Sequence, residues 1–144
     1  NDVTEKITKA SIYKKCWIPV FFGIGILAVC SSSAMANDLK VEWRFKAGHE
    51  CNYKSPQINL KNIPAGTVKL SVSMEDLDNY SSAHGGGNVD YGGNGFVPEG
   101  ALGSFKGPCP PDEHRYEITV IAQDKTGKTL AKGVGMRECC DQFK

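Results

Sequence analysis

Thr67-Val68-Lys69-Leu70-Ser71-Val72-Ser73-Met74-Glu75 sets Val68, Leu70, Val72 and Met74 in alternation with Lys69, Ser71 and Ser73. A period of two puts the four apolar side chains on one face of an extended chain, so this stretch reads as a β-strand with one buried side. Outward from it, Lys40 to Lys46 repeats the pattern with Val41, Trp43 and Phe45 against Glu42 and Arg44. Arg115 to Asp124 does the same with Tyr116, Ile118, Val120 and Ala122, and Gln57 to Leu60 is a shorter candidate. Asp124-Lys125-Thr126-Gly127 has the composition of a turn into a last strand near Lys128 to Gly133. Beyond residue 36 no long stretch shows a 3.6-residue period, so the expected class is an all-β sandwich.

The chain has 144 residues, 17 basic and 16 acidic side chains, six cysteines and 40% apolar residues, enough for one small domain. Cys16 to Cys30 is a 15-residue apolar run behind Lys14 and Lys15, closed by the small-x-small pattern Ala34-Met35-Ala36. It falls short of the roughly 20 residues that cross a bilayer and has the form of a secretory signal peptide cut after Ala36. Residues 1–36 are then an N-terminal extension with its signal, and residues 37–144 the working domain. An uncleaved anchor and a lipid-modified Cys30 in Leu27-Ala28-Val29-Cys30 are the competing processing routes. Removing Asp2, Glu5, Lys6, Lys9, Lys14 and Lys15 leaves one more acid than base, with no Lys/Arg cluster. A nucleic-acid partner and an anionic-membrane reader are therefore not expected.

A secreted or periplasmic domain holding Cys51, Cys109, Cys139 and Cys140 is expected to carry two disulfides. Three pairings are possible. On an extended strand Cys139 and Cys140 point to opposite faces, which favours pairing each of them with Cys51 or Cys109. A zinc site is the rival, weakened by the lack of a C-x-x-C spacing. No metal and no other cofactor is expected.

Asn79 to Pro111 differs in character, with Gly85-Gly86-Gly87, Gly92-Gly93, Gly95 and several prolines, and is expected to be mostly loop. A connection of that length in a compact domain is either functional or a tolerant exposed linker. Asn79-Tyr80-Ser81 within it is a glycosylation sequon. Asp76-Leu77-Asp78 at a strand exit is either a solvated turn or a pair of functional carboxylates. His84-Gly85-Gly86-Gly87 has the look of a lipase oxyanion loop, but no G-x-S-x-G elbow and no helices accompany it. Gly107-Pro108-Cys109-Pro110-Pro111 is a rigid turn that sets His114 at the start of a strand. His49, beside Glu50 and Cys51, reads as surface structure.

Gly107-Pro108-Cys109-Pro110-Pro111 followed by His114-Arg115-Tyr116 resembles the G-P-x-P-P…H-x-Y signature of the phosphatidylethanolamine-binding protein family, including its bacterial Raf-kinase-inhibitor-like branch. Asn52-Tyr53-Lys54-Ser55-Pro56, Ile63-Pro64-Ala65-Gly66-Thr67 and Asp76-Leu77-Asp78 resemble its N-x-S-P, P-x-G-T and D-P-D elements, in the same order. The resemblance implies a shortened, Greek-key-like β-sandwich with a small pocket for phosphate or phosphate-like head groups. Residue by residue it implies a lining of Asp76, Asp78, Pro108, His114 and Tyr116, with His84 the weaker candidate for a further histidine. Imidazole N–H groups and loop amides donate to phosphate oxygens, while carboxylates orient the imidazoles.

Leu77 stands where the family has proline, and His84-Gly85-Gly86-Gly87 replaces a histidine-tryptophan strand only six residues beyond Asp78. These departures lead to the expectation of a glycine loop where the family has a wall strand, and they make His84 the weaker candidate. The leading expectation is a non-catalytic binder of a small anionic ligand. The alternative is a protein-interaction module, protease- or kinase-inhibitor-like, using the glycine-rich loop as its contact surface. An enzyme is disfavoured because no catalytic triad, metal spacing or Walker loop is present.

Overall fold

The computed structural model describes residues 38–109 and 113–139. The expected signal peptide, its Ala36 cleavage point and the Cys30 lipobox lie outside these residues. Seven strands follow one another: β1 (Lys40–Trp43), β2 (Ile58–Lys61), β3 (Lys69–Asp76), β4 (Ala83–Asp90), β5 (Phe96–Val97), β6 (His114–Gln123) and β7 (Thr129–Cys139). They form a three-stranded sheet in the order β1-β2-β5 and a four-stranded sheet in the order β4-β3-β6-β7, with every pairing antiparallel. The described residues contain no helix. The all-β, two-sheet class read from period-2 alternation is the class observed.

The alternating faces meet in one core. Val41 and Trp43 from β1, Ile58 and Leu60 from β2, Leu70, Val72 and Met74 from β3, and Tyr116, Ile118, Val120 and Ala122 from β6 are all buried together. At roughly 1.5–3 kcal/mol for each large apolar side chain removed from water, this face drives the fold. β7 can lie under the first sheet because it carries Gly133 and Gly135 on its inner face. A Cβ at these positions would sit 2.3 Å from Leu39 O and 2.5 Å from Val41 O. The Trp43 indole crosses this interface to donate from Nε1 to Gly135 O at 2.8 Å. Asp124 Oδ1 accepts the amides of Thr126 and Lys128 and closes the β6–β7 turn where the sequence placed it.

Two sequence expectations are corrected here. The glycine triplet within Asn79 to Pro111 is not loop: β4 runs through it and pairs along β3, while most of the described remainder of the segment is loop, as expected. Glycine is a poor strand former taken alone, but here bulk is forbidden. A Cβ on Gly85 would lie 1.8 Å from Ser104 O, and one on Gly86 would lie 1.9 Å from Val72 O. The residues after Leu102 run against the outer edge of β4, with Gly86 N donating to Ser104 O and Ser104 N to Gly86 O. The close approach on either side of β4 is possible because its own residues here carry no side chain. Within the triplet Gly86 is buried, Gly87 half-buried and Gly85 exposed.

The disulfide expectation is corrected as well. Cys51 is bonded to Cys109, closing a sequence separation of 58, so neither is available to the C-terminal pair. Cys139, fully buried, is also disulfide-bonded, while Cys140 lies outside the described residues.

Candidate functional site

β3 and β6 are in register such that Asp76 faces Tyr116, and His114 lies two residues earlier on the same side of β6. A carboxylate, a phenol and an imidazole are thereby gathered at one end of the four-stranded sheet. His84 joins them from β4. The register between β3 and β4 shifts between Ser73 and Glu75, where β4 carries an extra residue, and this bulge turns His84 inward to 5% exposure.

Asp76 organises the group. Its Oδ1 accepts the amides of Asp78 and Asn79, both at 2.9 Å, which forms the tight turn leading back into β4. Its Oδ2 accepts His114 Nδ1 at 2.7 Å and lies 3.9 Å from His84 Nε2. Burial alone would raise the Asp76 carboxyl, but the His114 hydrogen bond and the two amides outweigh it and hold it below its ordinary value. Tyr116 is 1% exposed, and burial, followed by the adjacent Asp76 carboxylate, pushes its phenol well above the usual range.

The two histidines are committed in the same way. His84 Nδ1 donates to Lys106 O at 2.8 Å, as His114 Nδ1 donates to Asp76. Each acceptor fixes the Nδ1 proton and leaves Nε2 for something else. For His84 that nitrogen is buried and has no hydrogen-bond partner among the described residues. A buried polar atom left unpaired costs about 1–3 kcal/mol, which marks it as a position for a ligand or an ordered water. The ring edge of His84 rests on Tyr116, with centroids 5.2 Å apart. Tyr116 in turn packs on Phe45 and Phe45 on Trp43, so the site stands on the aromatic core.

Asp76, His84, His114 and Tyr116 line one cavity of about 470 Å³. Its far wall is the Lys106–Cys109 segment. Gly107 is required there, since a Cβ would lie 2.0 Å from His49 O. The segment is tied to the 49–52 loop by the amide of Gly107 on Asn52 O at 2.6 Å, by the amide of Cys51 on Pro108 O at 2.8 Å, and by the Cys51–Cys109 disulfide.

No protein-family model and no curated protein sequence matches the chain. Solved structures do match. A phosphatidylethanolamine-binding protein homologue from Chlamydia trachomatis aligns over 73% of this chain and 99% of its own, with a TM-score of 0.52 and 20% identity. YbcL of Escherichia coli, described as a member of the mammalian phosphatidylethanolamine-binding protein family, aligns over 72% and 94%, with a TM-score of 0.50 and 16% identity. This chain has the phosphatidylethanolamine-binding protein fold. At such identities the likeness speaks for architecture, and the chemistry of the site rests on its own residues.

On this phosphatidylethanolamine-binding fold the candidate residues separate. Asp76, His84, His114 and Tyr116 come together, so His84, the weaker candidate, lines the cavity with the others. Asp78 stands aside. It accepts the Arg115 amide at 2.7 Å and pairs with the Arg115 guanidinium at 2.6 Å, and these bonds lower its carboxyl to about 2. Pro108 is buried behind the wall, while its neighbours Gly107 and Cys109 face the cavity. Asn79, Ser81, Ser82 and Lys106 also line it and were not among the candidates. The sequon could have pointed to Asn79 and Ser81, which lie in the turn between Asp76 and His84, but nothing in it points to Lys106.

His49 is not surface structure. It is 2% exposed, its Nδ1 accepts the Lys46 amide at 3.1 Å, and its Nε2 meets Glu99 Oε1 at 3.3 Å. Glu99 also holds Lys54 at 2.5 Å, and these partners lower its carboxyl to about 2. Among the described residues no group of three or more His, Cys, Asp and Glu side chains is arranged to hold a metal ion.

Proposed function

We propose that the protein is a non-catalytic binder of small phosphate-type anions, acting outside the cytoplasm. The observation that carries this reading is the buried, unpartnered Nε2 of His84 beside the His114–Asp76 pair. With Nδ1 of each ring already donating, protonation makes each Nε2 a second donor, and two imidazolium rings around one carboxylate leave a net positive charge for an anion. Two charge-assisted hydrogen bonds contribute about 3–6 kcal/mol, which corresponds to a Kd between tens of micromolar and a few millimolar. Binding rather than turnover is favoured because no hydroxyl is hydrogen-bonded to either histidine among the described residues, so no nucleophile is activated. The exposed Cys51–Cys109 disulfide at the cavity wall fits an oxidising compartment and, with the signal-like N-terminal pattern, supports export.

Titration calorimetry with inorganic phosphate tests the reading. His114→Ala should weaken binding about 10- to 150-fold, the loss of one charge-assisted hydrogen bond. A wild-type protein that ignores phosphate, or a variant that binds it equally well, would refute a working anion site.

A further inference from the structure

We propose that the phosphate taken by this cavity is carried on a small hydroxylated alcohol, a polyol phosphate monoester, an inference that rests on the anion-binding reading above. The cavity, about 470 Å³, has the size of a small-molecule site, more than a bare phosphate needs. What walls the remaining space decides the chemistry of the group attached. Among the described residues the apolar side chains lining it are those of Ala83, Cys109 and Tyr116, too few to cover an acyl chain.

Instead, the turn between Asp76 and His84 contributes Asn79, Ser81 and Ser82. These three side chains are held by one another. Asn79 Nδ2 donates to Ser82 Oγ at 3.0 Å, and Ser81 Oγ donates to Asn79 Oδ1 at 2.6 Å. Ser82, already an acceptor, keeps its hydroxyl proton to donate, and Ser81, already a donor, keeps lone pairs to accept. A donor and an acceptor set side by side match a ligand hydroxyl, which does both, and match a vicinal diol better still. The turn is anchored to the anion site through Asp76 Oδ1 on the Asn79 amide at 2.9 Å. The position of the serines relative to the histidines is thus set by the same carboxylate that orients His114.

The test is a ligand series titrated calorimetrically into the protein: inorganic phosphate, ethyl phosphate and glycerol 3-phosphate. Glycerol 3-phosphate should bind about tenfold more tightly than ethyl phosphate, because the alkyl analogue makes no hydrogen bond to the serine pair. In Ser81→Ala/Ser82→Ala that ratio should collapse toward one. Competition by phosphatidylglycerol vesicles distinguishes a lipid head group from a free polyol phosphate as the source. Ethyl phosphate binding as well as glycerol 3-phosphate, with phosphate still bound through His114, overturns the polyol inference and leaves the anion site standing. A ratio that survives in the double serine variant overturns it too. Failure of every phosphate to bind removes both readings.

Discussion

Gly85→Ala probes how the wall of the cavity is built. Gly85 has φ +66°, and an added Cβ would meet Ser104 O at 1.8 Å. An alanine forced into the left-handed region costs about 1–2 kcal/mol. The contact is relieved only if Ser104 moves away, which breaks the Gly86–Ser104 pair of backbone hydrogen bonds at 3.3 and 3.0 Å. Each of these contributes about 0.5–1.5 kcal/mol, so the summed cost is about 2–5 kcal/mol. For a domain of this size that is a fall in Tm of roughly 10–25 °C. Thermal unfolding followed by circular dichroism measures it. Gly92→Ala serves as the control: its Cβ would meet nothing within 4 Å, and its effect should stay within about 0.5 kcal/mol. Because His84 Nδ1 binds Lys106 O two residues beyond Ser104, Gly85→Ala should also weaken phosphate binding. A Gly85→Ala protein as stable as the Gly92→Ala control would refute the argument that close backbone packing, rather than tolerance of a loose linker, explains the glycines.

Three further outcomes follow from the same geometry. Cys51→Ser/Cys109→Ser should lower stability by about 4 kcal/mol, the loop-closure value for a separation of 58 residues, read from denaturant midpoints. Mild reduction of the native protein should loosen the 107–109 wall and weaken phosphate binding in a titration repeated with a dithiol present. Acid should destabilise the fold between about pH 4 and pH 2. Asp76, Asp78 and Glu99 all have folded-state values below their ordinary ones, so their contribution is complete above the unfolded value and is lost as the pH falls through the folded one. Unfolding midpoints that hold steady from pH 5 to pH 2 would contradict that assignment.

Much of the architecture could be read from local pattern. Val41, Trp43, Leu70, Val72, Ile118 and Val120 alternate with polar neighbours, and alternation specifies both the strand and the face it buries, because side chains on extended backbone repeat every two residues. Asp76, His114 and Tyr116 were legible as site residues through the resemblance of their motifs to those of the phosphatidylethanolamine-binding protein family, while strand pattern alone gave only their place on β3 and β6. β4 was not legible, since a strand whose glycines are demanded by a neighbouring backbone carries no alternation signal of its own. The inward turn of His84 depends on a bulge in the β3–β4 register, which is a property of two strands together. His49 was misplaced for the same kind of reason, because its burial comes from Glu99, fifty residues away along the chain.

Alternation by itself determined that this chain is all-β, the cysteine count led to the expectation of disulfides, and the grouping of imidazoles with a carboxylate was implied by the resemblance of its motifs to a family. Only the tertiary structure decided which groups share a cavity. It paired Asp78 with Arg115 instead of the cavity, joined Cys51 to Cys109, and brought Ser81 and Ser82 beside His84. The physical reason is that alternation and turn chemistry are local properties of the backbone. A site, in contrast, is an arrangement of hydrogen-bond partners across strands, settled by which buried groups remain unsatisfied once the core has packed.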